Sequence, residues 1–423
     1  MSRTPSPSRG PTLLQILQRP NPKIEDGNWD GSWDDSSYRN STDVFDEVEF
    51  DSDHPSVKPW ADFTFEAIYL AYGHLLEQRM AALKPGYQPV PPPSPGQGLT
   101  IIATEHDVDL LGQAWSVNIV RSPIAAAAIQ LRPQLDIQGP SETPKTTLGH
   151  KKVTWVKLST ESEASVDFTP DWTILDLKAK VRYREDDTEQ SEKQLTFAVG
   201  DSKLKQEWKS HWLALPDGDL DVAMDLPFGS TVSKVSSVEN ERLLPLRQVA
   251  TYCRFAQTRY AFIITQTELV ALRIRRLPRQ PSQTALYAGI EYVSVPWDAT
   301  TGLTVNLAIW ALGCMGMNDA HREMESSFPK AHAALPSMAR LTRWKHDAKN
   351  QVYENAISKR RIPEVEWKKL DTRFVHLDEK SGSSFTGDFV PALQRTLVPP
   401  PTSTPGRIDD IQGNLNMGGS ESS

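Results

Sequence analysis

Apolar residues recur at helical spacing in "PWADFTFEAIYLAYGHLLEQRMAAL", where Phe65, Ile68, Tyr69, Tyr72, Leu75 and Leu76 fall on one face. "TEHDVDLLGQAWSVNIVRSPIAAAAIQLRPQL" predicts one helix, N-capped by Thr104 and broken near Pro123. The pattern then changes. "KKVTWVKLS", "DWTILDLKAKVRY" and "LTFAVGDSKL" are three consecutive strand candidates, rich in Val, Thr, Trp, Ile and Tyr. The polar run "REDDTEQSEKQ" joins the second to the third as a hairpin loop. "RLLPLRQVATYCRFAQ" follows as a helix. "RYAFIITQTELVALRIRR" reads as two strands around a turn at Thr265–Thr267, "YAGIEYVSVPW" as another strand, and "TTGLTVNLAIWALGCMGM" as a closing helix. The order of helix, three strands, helix, strand and strand predicts a mixed α/β (α+β) domain built on a β-meander. It is not the strict alternation of a doubly wound sheet.

Composition sets the limits of that domain. The chain has 423 residues, 38% of them hydrophobic, and 32 prolines concentrated at the ends and in runs such as "KPGYQPVPPPSPGQG". Such runs favour extended or disordered chain. Residues 1–56 read as a disordered acidic region, 57–328 as the folded domain, 329–370 as a basic and partly helical extension, and 371–423 as a disordered tail. Net charge is -8, so nothing global advertises nucleic-acid binding, but its distribution is uneven. Residues 1–56 hold five Lys/Arg against eleven Asp/Glu, whereas residues 330–369 hold ten against four. The two cysteines, Cys253 and Cys314, have no metal-ligand spacing and allow at most one bridge. Cysteine usage suits a reducing compartment. The start lacks a signal-peptide core, and "LTVNLAIWALGCMGM" is too short to span a membrane. The expectation is an intracellular protein without membrane attachment. "SKRR" is a candidate nuclear-import signal.

Candidate chemistry begins where the third strand ends. Asp201 and Lys203 are two apart and share a strand face, and strict alternation puts Leu195, Phe197 and Val199 on that face too. Burying either charge unpaired costs several kcal/mol. These residues therefore lie at an open end of the sheet or bind something, unless "VGDSK" is simply a turn. Pro170-Asp171 begins the preceding strand, and antiparallel pairing brings Asp171 towards Asp201 and Lys203. Two carboxylates at a sheet end repel unless a cation sits between them. A hard cation such as Mg²⁺ takes oxygen ligands and keeps waters that a substrate phosphate can displace. Gln248 and Tyr252, four apart, share a helix face.

Taken in order, Pro170-Asp171, Asp201-Ser202-Lys203 and Gln248-x-x-x-Tyr252 resemble the PD-(D/E)XK nuclease superfamily. "PDWTIL", "AVGDSKLKQEW" and "PLRQVATYCRFAQ" are similar to a group of largely uncharacterised fungal proteins of that type. The resemblance covers about residues 100–296 and implies a restriction-endonuclease-like αβββαβ core with extra helices and disordered termini. It implies a Mg²⁺- or Mn²⁺-dependent phosphodiester hydrolase acting on nucleic acid, specifically DNA, with no small-molecule cofactor. Asp171 and Asp201 would hold the metal with the backbone carbonyl of Ser202. Lys203 would orient the attacking water, Gln248 would contact the phosphate or the nucleophile, and Tyr252 would fix the helix or the substrate strand. A further acid from the first helix is expected from among Glu105, Asp107 and Asp109, with Glu105 favoured. The (D/E)xK motif opens here with the shorter Asp. Phosphate-gripping candidates are Lys205, Lys209, Arg247, Arg254, Arg259 and the basic stretch from Leu341 to Lys369. The alternative is an inactive fold of this type kept as a nucleic-acid-binding or protein-interaction module.

Overall fold

The computed structural model describes residues 10–24, 48–49, 57–83, 102, 104–131, 146–149, 153–159, 162–168, 170–185, 189–205, 208–214, 234–276, 286–317, 322, 344–355 and 361–365. The predicted tail from residue 371, most of the acidic head and three residues of "SKRR" lie outside them.

The helices are α1 (Leu13–Leu17), α2 (Phe65–Leu76), α3 (Met80–Leu83), α4 (Glu105–Gly112), α5 (Asn118–Leu131), α6 (Lys234–Ala256) and α7 (Val305–Gly316). The strands of the main sheet are β1 (Val48–Glu49), β2 (Val57–Pro59), β3 (Thr146–Gly149), β6 (Trp172–Glu185), β7 (Glu189–Ser202), β8 (Tyr260–Ile264), β9 (Glu268–Arg276) and β10 (Leu286–Pro296). They run in the order β1-β10-β9-β8-β7-β6-β3, with β2 also on β10. Inserted between β3 and β6 is a separate hairpin of β4 (Val153–Ser159) and β5 (Ser162–Phe168).

The fold is mixed α/β, as expected. β6 and β7 form the predicted hairpin, and β8 and β9 flank the predicted turn. The ladder of β6 and β7 extends into the polar run expected to be loop, because ladder hydrogen bonds are made by the backbone. β7 and β8 are parallel and require a crossover, which α6 supplies.

Apolar side chains cover both faces of the sheet. Trp172, Ile174, Phe262, Ile264 and Ala271 pack with α1, α2, α5 and α7, whereas Val199, Ala261, Ile263, Val270 and Leu272 pack with α6. β8 alternates Tyr260, Phe262 and Ile264 to one core with Ala261 and Ile263 to the other, so every side chain is buried. Cys253 and Cys314 fall in different cores and are free.

Several expectations need correction. Val153–Ser159 is not the first strand of the meander, since Thr146–Gly149 pairs with β6 in its place. Local propensity in "VTWVKLS" was satisfied by its neighbour β5 rather than by the sheet. The irregularity in the long helix lies at the π turn Gln113–Val117, not at Pro123, which sits inside α5. The carbonyl of Pro123 accepts the Trp310 Nε1–H at 3.2 Å. The head is not uniformly disordered. Leu13, Ile16 and Leu17 are fully buried, and Thr12 caps α1 through a capping box with Gln15. Thr304 Oγ1 donates to Leu17 O at 2.7 Å and Trp297 Nε1 to Pro22 O at 3.0 Å, tying this segment down. In the basic extension the described residues are mostly strand, with helix at 364–365. The strands are β11 (Trp344–Asp347), β12 (Val352–Asn355) and β13 (Arg361–Pro363), antiparallel in that order. Among the described residues, no helix is long and apolar enough to cross a membrane.

Candidate functional site

The end of β7 departs from strict alternation. Ile174 pairs with Ala198 and Leu175 with Thr196, which leaves Phe197 as an extra residue on β7. This β-bulge inverts the side-chain parity. Leu195, Phe197 and Ala198 face the core of α5 and α7, while Val199 faces α6. The expectation that Leu195, Phe197 and Val199 share one face with Asp201 and Lys203 is therefore overturned. Only Val199 precedes them on the α6 side. The bulge is held tightly: Thr258 Oγ1 donates to Phe197 O at 2.7 Å. A Cβ on Gly316 of α7 would lie 2.1 Å from that carbonyl oxygen, so only glycine allows the approach.

Beyond the bulge, Trp172 pairs with Gly200. Continuing that register by one residue sets Asp171 across from Asp201, a separation of about 4.5–5.5 Å between Cβ atoms for directly opposed residues. Asp171 Oδ2 accepts the Ser202 amide at 2.9 Å, which fixes its carboxylate against the Asp201–Ser202 peptide. The Lys203 amide instead donates to Ile264 O of β8 at 2.9 Å. Since N–H and C=O of one extended residue point to the same side, the Ser202 carbonyl is directed to the edge that Asp171 occupies.

Asp201 is 1% exposed. Its Oδ2 lies 2.8 Å from Lys203 Nζ, an ion pair off the line of a well-formed hydrogen bond. Lys203 Nζ also donates to Glu105 Oε1 at 2.9 Å. Burial holds the Asp201 carboxyl well above the usual range. Lys203 opposes this, and Asp171 and Glu105 reinforce it. Burial pulls the Lys203 ammonium down, but Asp201 and Glu105 outweigh it and hold the group charged.

From α6, Gln248 Nε2 donates to Tyr252 Oη at 2.8 Å. Burial and then the charge of Asp201 push the Tyr252 hydroxyl up. Tyr252 thus lies within electrostatic range of the two aspartates, and Gln248 is tied to it. From α4, Thr104 caps the helix through a capping box with Asp107. Asp107 is thereby spent on the cap, and Glu105 and Asp109, one turn apart, both reach β7. Glu105 meets Lys203, and Asp109 accepts from Ser202 Oγ. Of the three first-helix acids, Glu105 is the one paired with Lys203.

Sequence reasoning missed one part of this site. Trp172 Nε1 donates to Ser202 Oγ at 2.9 Å, so the Ser202 side chain links Trp172 to Asp109 behind the strand end. The signal was present in the juxtaposition of Asp171 with Trp172, but only the pairing register makes Trp172 a neighbour of Ser202. Among the cationic candidates, Arg259 is only 3% exposed and its amide donates to Arg322 O, so it belongs to the core and is not a surface contact. The Arg254 side chain lies outside the described residues.

The donor set is hard: carboxylate oxygens and a directed carbonyl, suited to Mg²⁺ or Mn²⁺. Among the described residues, no group of three or more His, Cys, Asp or Glu side chains converges on one point. Two carboxylates meet the need of Mg²⁺, which keeps several of its waters. The surplus of acid over ammonium around the buried Asp201 fits a divalent cation here.

Comparison with protein-family models, with curated proteins and with solved structures returns no match.

Proposed function

We propose that the protein is a metal-dependent nuclease of PD-(D/E)XK type that hydrolyses phosphodiester bonds of DNA. The observation carrying this reading is the convergence of Asp171, Asp201, Lys203 and the Gln248–Tyr252 pair at the end of the parallel pair β7 and β8. The sequence of elements supports it. Helices α4 and α5, then β3, β6 and β7, then α6 and β8 follow the αβββαβ order that the resemblance implies.

Asp171, Asp201 and the Ser202 carbonyl would hold the ion. A bound Mg²⁺ or Mn²⁺ supplies Lewis-acid polarisation of the phosphoryl oxygen and lowers the pKa of a water. The Lys203 ammonium, kept charged by its two carboxylate neighbours, orients the attacking water and stabilises negative charge developing on phosphorus-bound oxygen. Water oxygen bonds to phosphorus and gives up a proton to solvent, one ester P–O bond breaks, and the departing oxygen takes a proton from solvent. The Gln248 amide, oriented by Tyr252, donates to a phosphate oxygen.

The test is incubation with Mg²⁺ or Mn²⁺ and linear, circular and single-stranded DNA. Cleavage by wild type and its loss in Lys203→Ala are expected. No cleavage, or equal cleavage by the variant, removes the reading.

A second reading is a non-catalytic nucleic-acid-binding or interaction module. What favours it is that Lys203 already bridges Asp201 and Glu105, so the charges are partly satisfied without an ion. A melting temperature unmoved by Mg²⁺ and Mn²⁺ supports this alternative.

A further inference from the structure

The end of β7 works on two faces. Asp201 and Lys203 meet on one of them, and Ser202 points to the other, where Trp172 lies in the core of α5 and α7. Ser202 is held there by three bonds. Its amide donates to Asp171 Oδ2 at 2.9 Å, its Oγ accepts from Trp172 Nε1 at 2.9 Å, and the same Oγ donates to Asp109 Oδ1. An indole N–H is a donor only and a carboxylate an acceptor only. Ser202 Oγ therefore spends a lone pair on Trp172 and its single proton on Asp109.

These bonds bear on a backbone atom. The Lys203 amide donates to Ile264 O on the β8 side. In a trans peptide the Ser202 carbonyl points the opposite way, to the side of Asp171. Its direction is set by the rotation of this one peptide, and the Ser202 side chain is the handle by which the back face holds it. Trp172 also seats the helix that supplies Asp109. A Cβ on Gly112 would lie 2.8 Å from the indole Cζ2, so the end of α4 rests directly on the ring. One buried side chain thus supports α4 and bonds the serine that Asp109 of α4 grips.

We infer that Trp172 and Asp109, acting through Ser202 Oγ, are positioning residues of the metal site that hold the Ser202 peptide rather than the ion. This rests on the nuclease reading, and it names how that site fixes its carbonyl ligand. Among the described residues no three acids converge on one point, so Asp109 acts through Ser202 and not as a further ligand. Partners that orient a ligand from behind set metal affinity without touching the metal.

The test is the Mn²⁺ affinity of the full chain without DNA, read from free Mn²⁺ in an electron paramagnetic resonance titration, with folding checked by circular dichroism. D109A, D109N and W172F are compared with wild type. Asp109 is half-buried, so its variants decide the matter even where the buried W172F does not fold. D109A and W172F each remove one bond to Ser202 Oγ and should weaken Mn²⁺ binding by about 10–100-fold. D109N keeps an acceptor oxygen for Ser202 Oγ and should lose less than D109A. Wild-type Mn²⁺ affinity in D109A or in folded W172F, with only the melting temperature lowered, reduces these residues to a structural role and overturns the inference. The nuclease reading then still stands on its cleavage assay. An equal loss in D109N and D109A overturns the inference in favour of Asp109 acting by its charge. If wild type binds no Mn²⁺, the inference and the metal-dependent reading fall together.

Discussion

Asp201→Asn is expected to stabilise the metal-free protein and to abolish its response to divalent metal. Asp201 is 1% exposed, and its Oδ2 makes no well-formed hydrogen bond. Around it, Asp109, Asp171 and Glu105 are further acids, and the Lys203 ammonium pairs with Asp201 and Glu105 alone among the described side chains. An amide removes the charge while Lys203 keeps Glu105 at 2.9 Å. Relieving one poorly compensated buried polar group is worth about 1–3 kcal/mol. For a domain of this size that raises the melting temperature by about 2–4 °C per kcal/mol.

The pH dependence has a definite sign. The folded-state pKa of Asp201 is raised above the unfolded value. Between the two values the native state binds more protons, so stability falls as pH rises through that window. Below the unfolded value of about 3.9 the carboxyl is neutral in both states and the variant offers no advantage. The advantage of the variant therefore grows from acid to neutral pH. Metal reverses the order, because it stabilises wild type by about 2.7 kcal/mol at a hundredfold excess over Kd and needs the ionised carboxylate. Thermal melts followed by circular dichroism, in EDTA and in Mn²⁺ across this pH range, make the comparison. A variant that melts below wild type at neutral pH in EDTA refutes the electrostatic argument. A metal increment equal in both proteins refutes Asp201 as a ligand.

Three more outcomes follow from the packing. Ser202→Ala leaves the buried Trp172 Nε1 without its acceptor and Asp109 without that donor, and is expected to cost about 1–3 kcal/mol in urea unfolding. Gly316→Ala forces a Cβ to 2.1 Å from the Phe197 carbonyl oxygen at the bulge. It should destabilise by about 1–3 kcal/mol or more, and should lower any cleavage activity, since the bulge aims Asp201. Thr304→Val removes both the α7 N-cap and the bond to Leu17 O, for about 1–2 kcal/mol, and should expose residues 10–24 to limited proteolysis before the rest of the domain.

The arrangement of elements was legible wherever periodicity was strong. The β6–β7 hairpin, the β8–β9 turn, α7 and the Thr104 cap follow from local pattern and capping chemistry, which act over a few residues. Asp171, Asp201, Lys203, Gln248 and Tyr252 could be named as candidates because each stands at a strand or helix position whose spacing is fixed. What only the tertiary structure decided is which faces they share. One extra residue at Phe197 reverses parity for everything after it, and no local pattern marks it, because a bulge is stabilised by partners as distant as Thr258 and Gly316. The choice of Glu105 for Lys203 depends on where α4 docks. The burial of α1 depends on packing against α2, α5 and α7, and a five-residue helix carries too little pattern of its own to announce that.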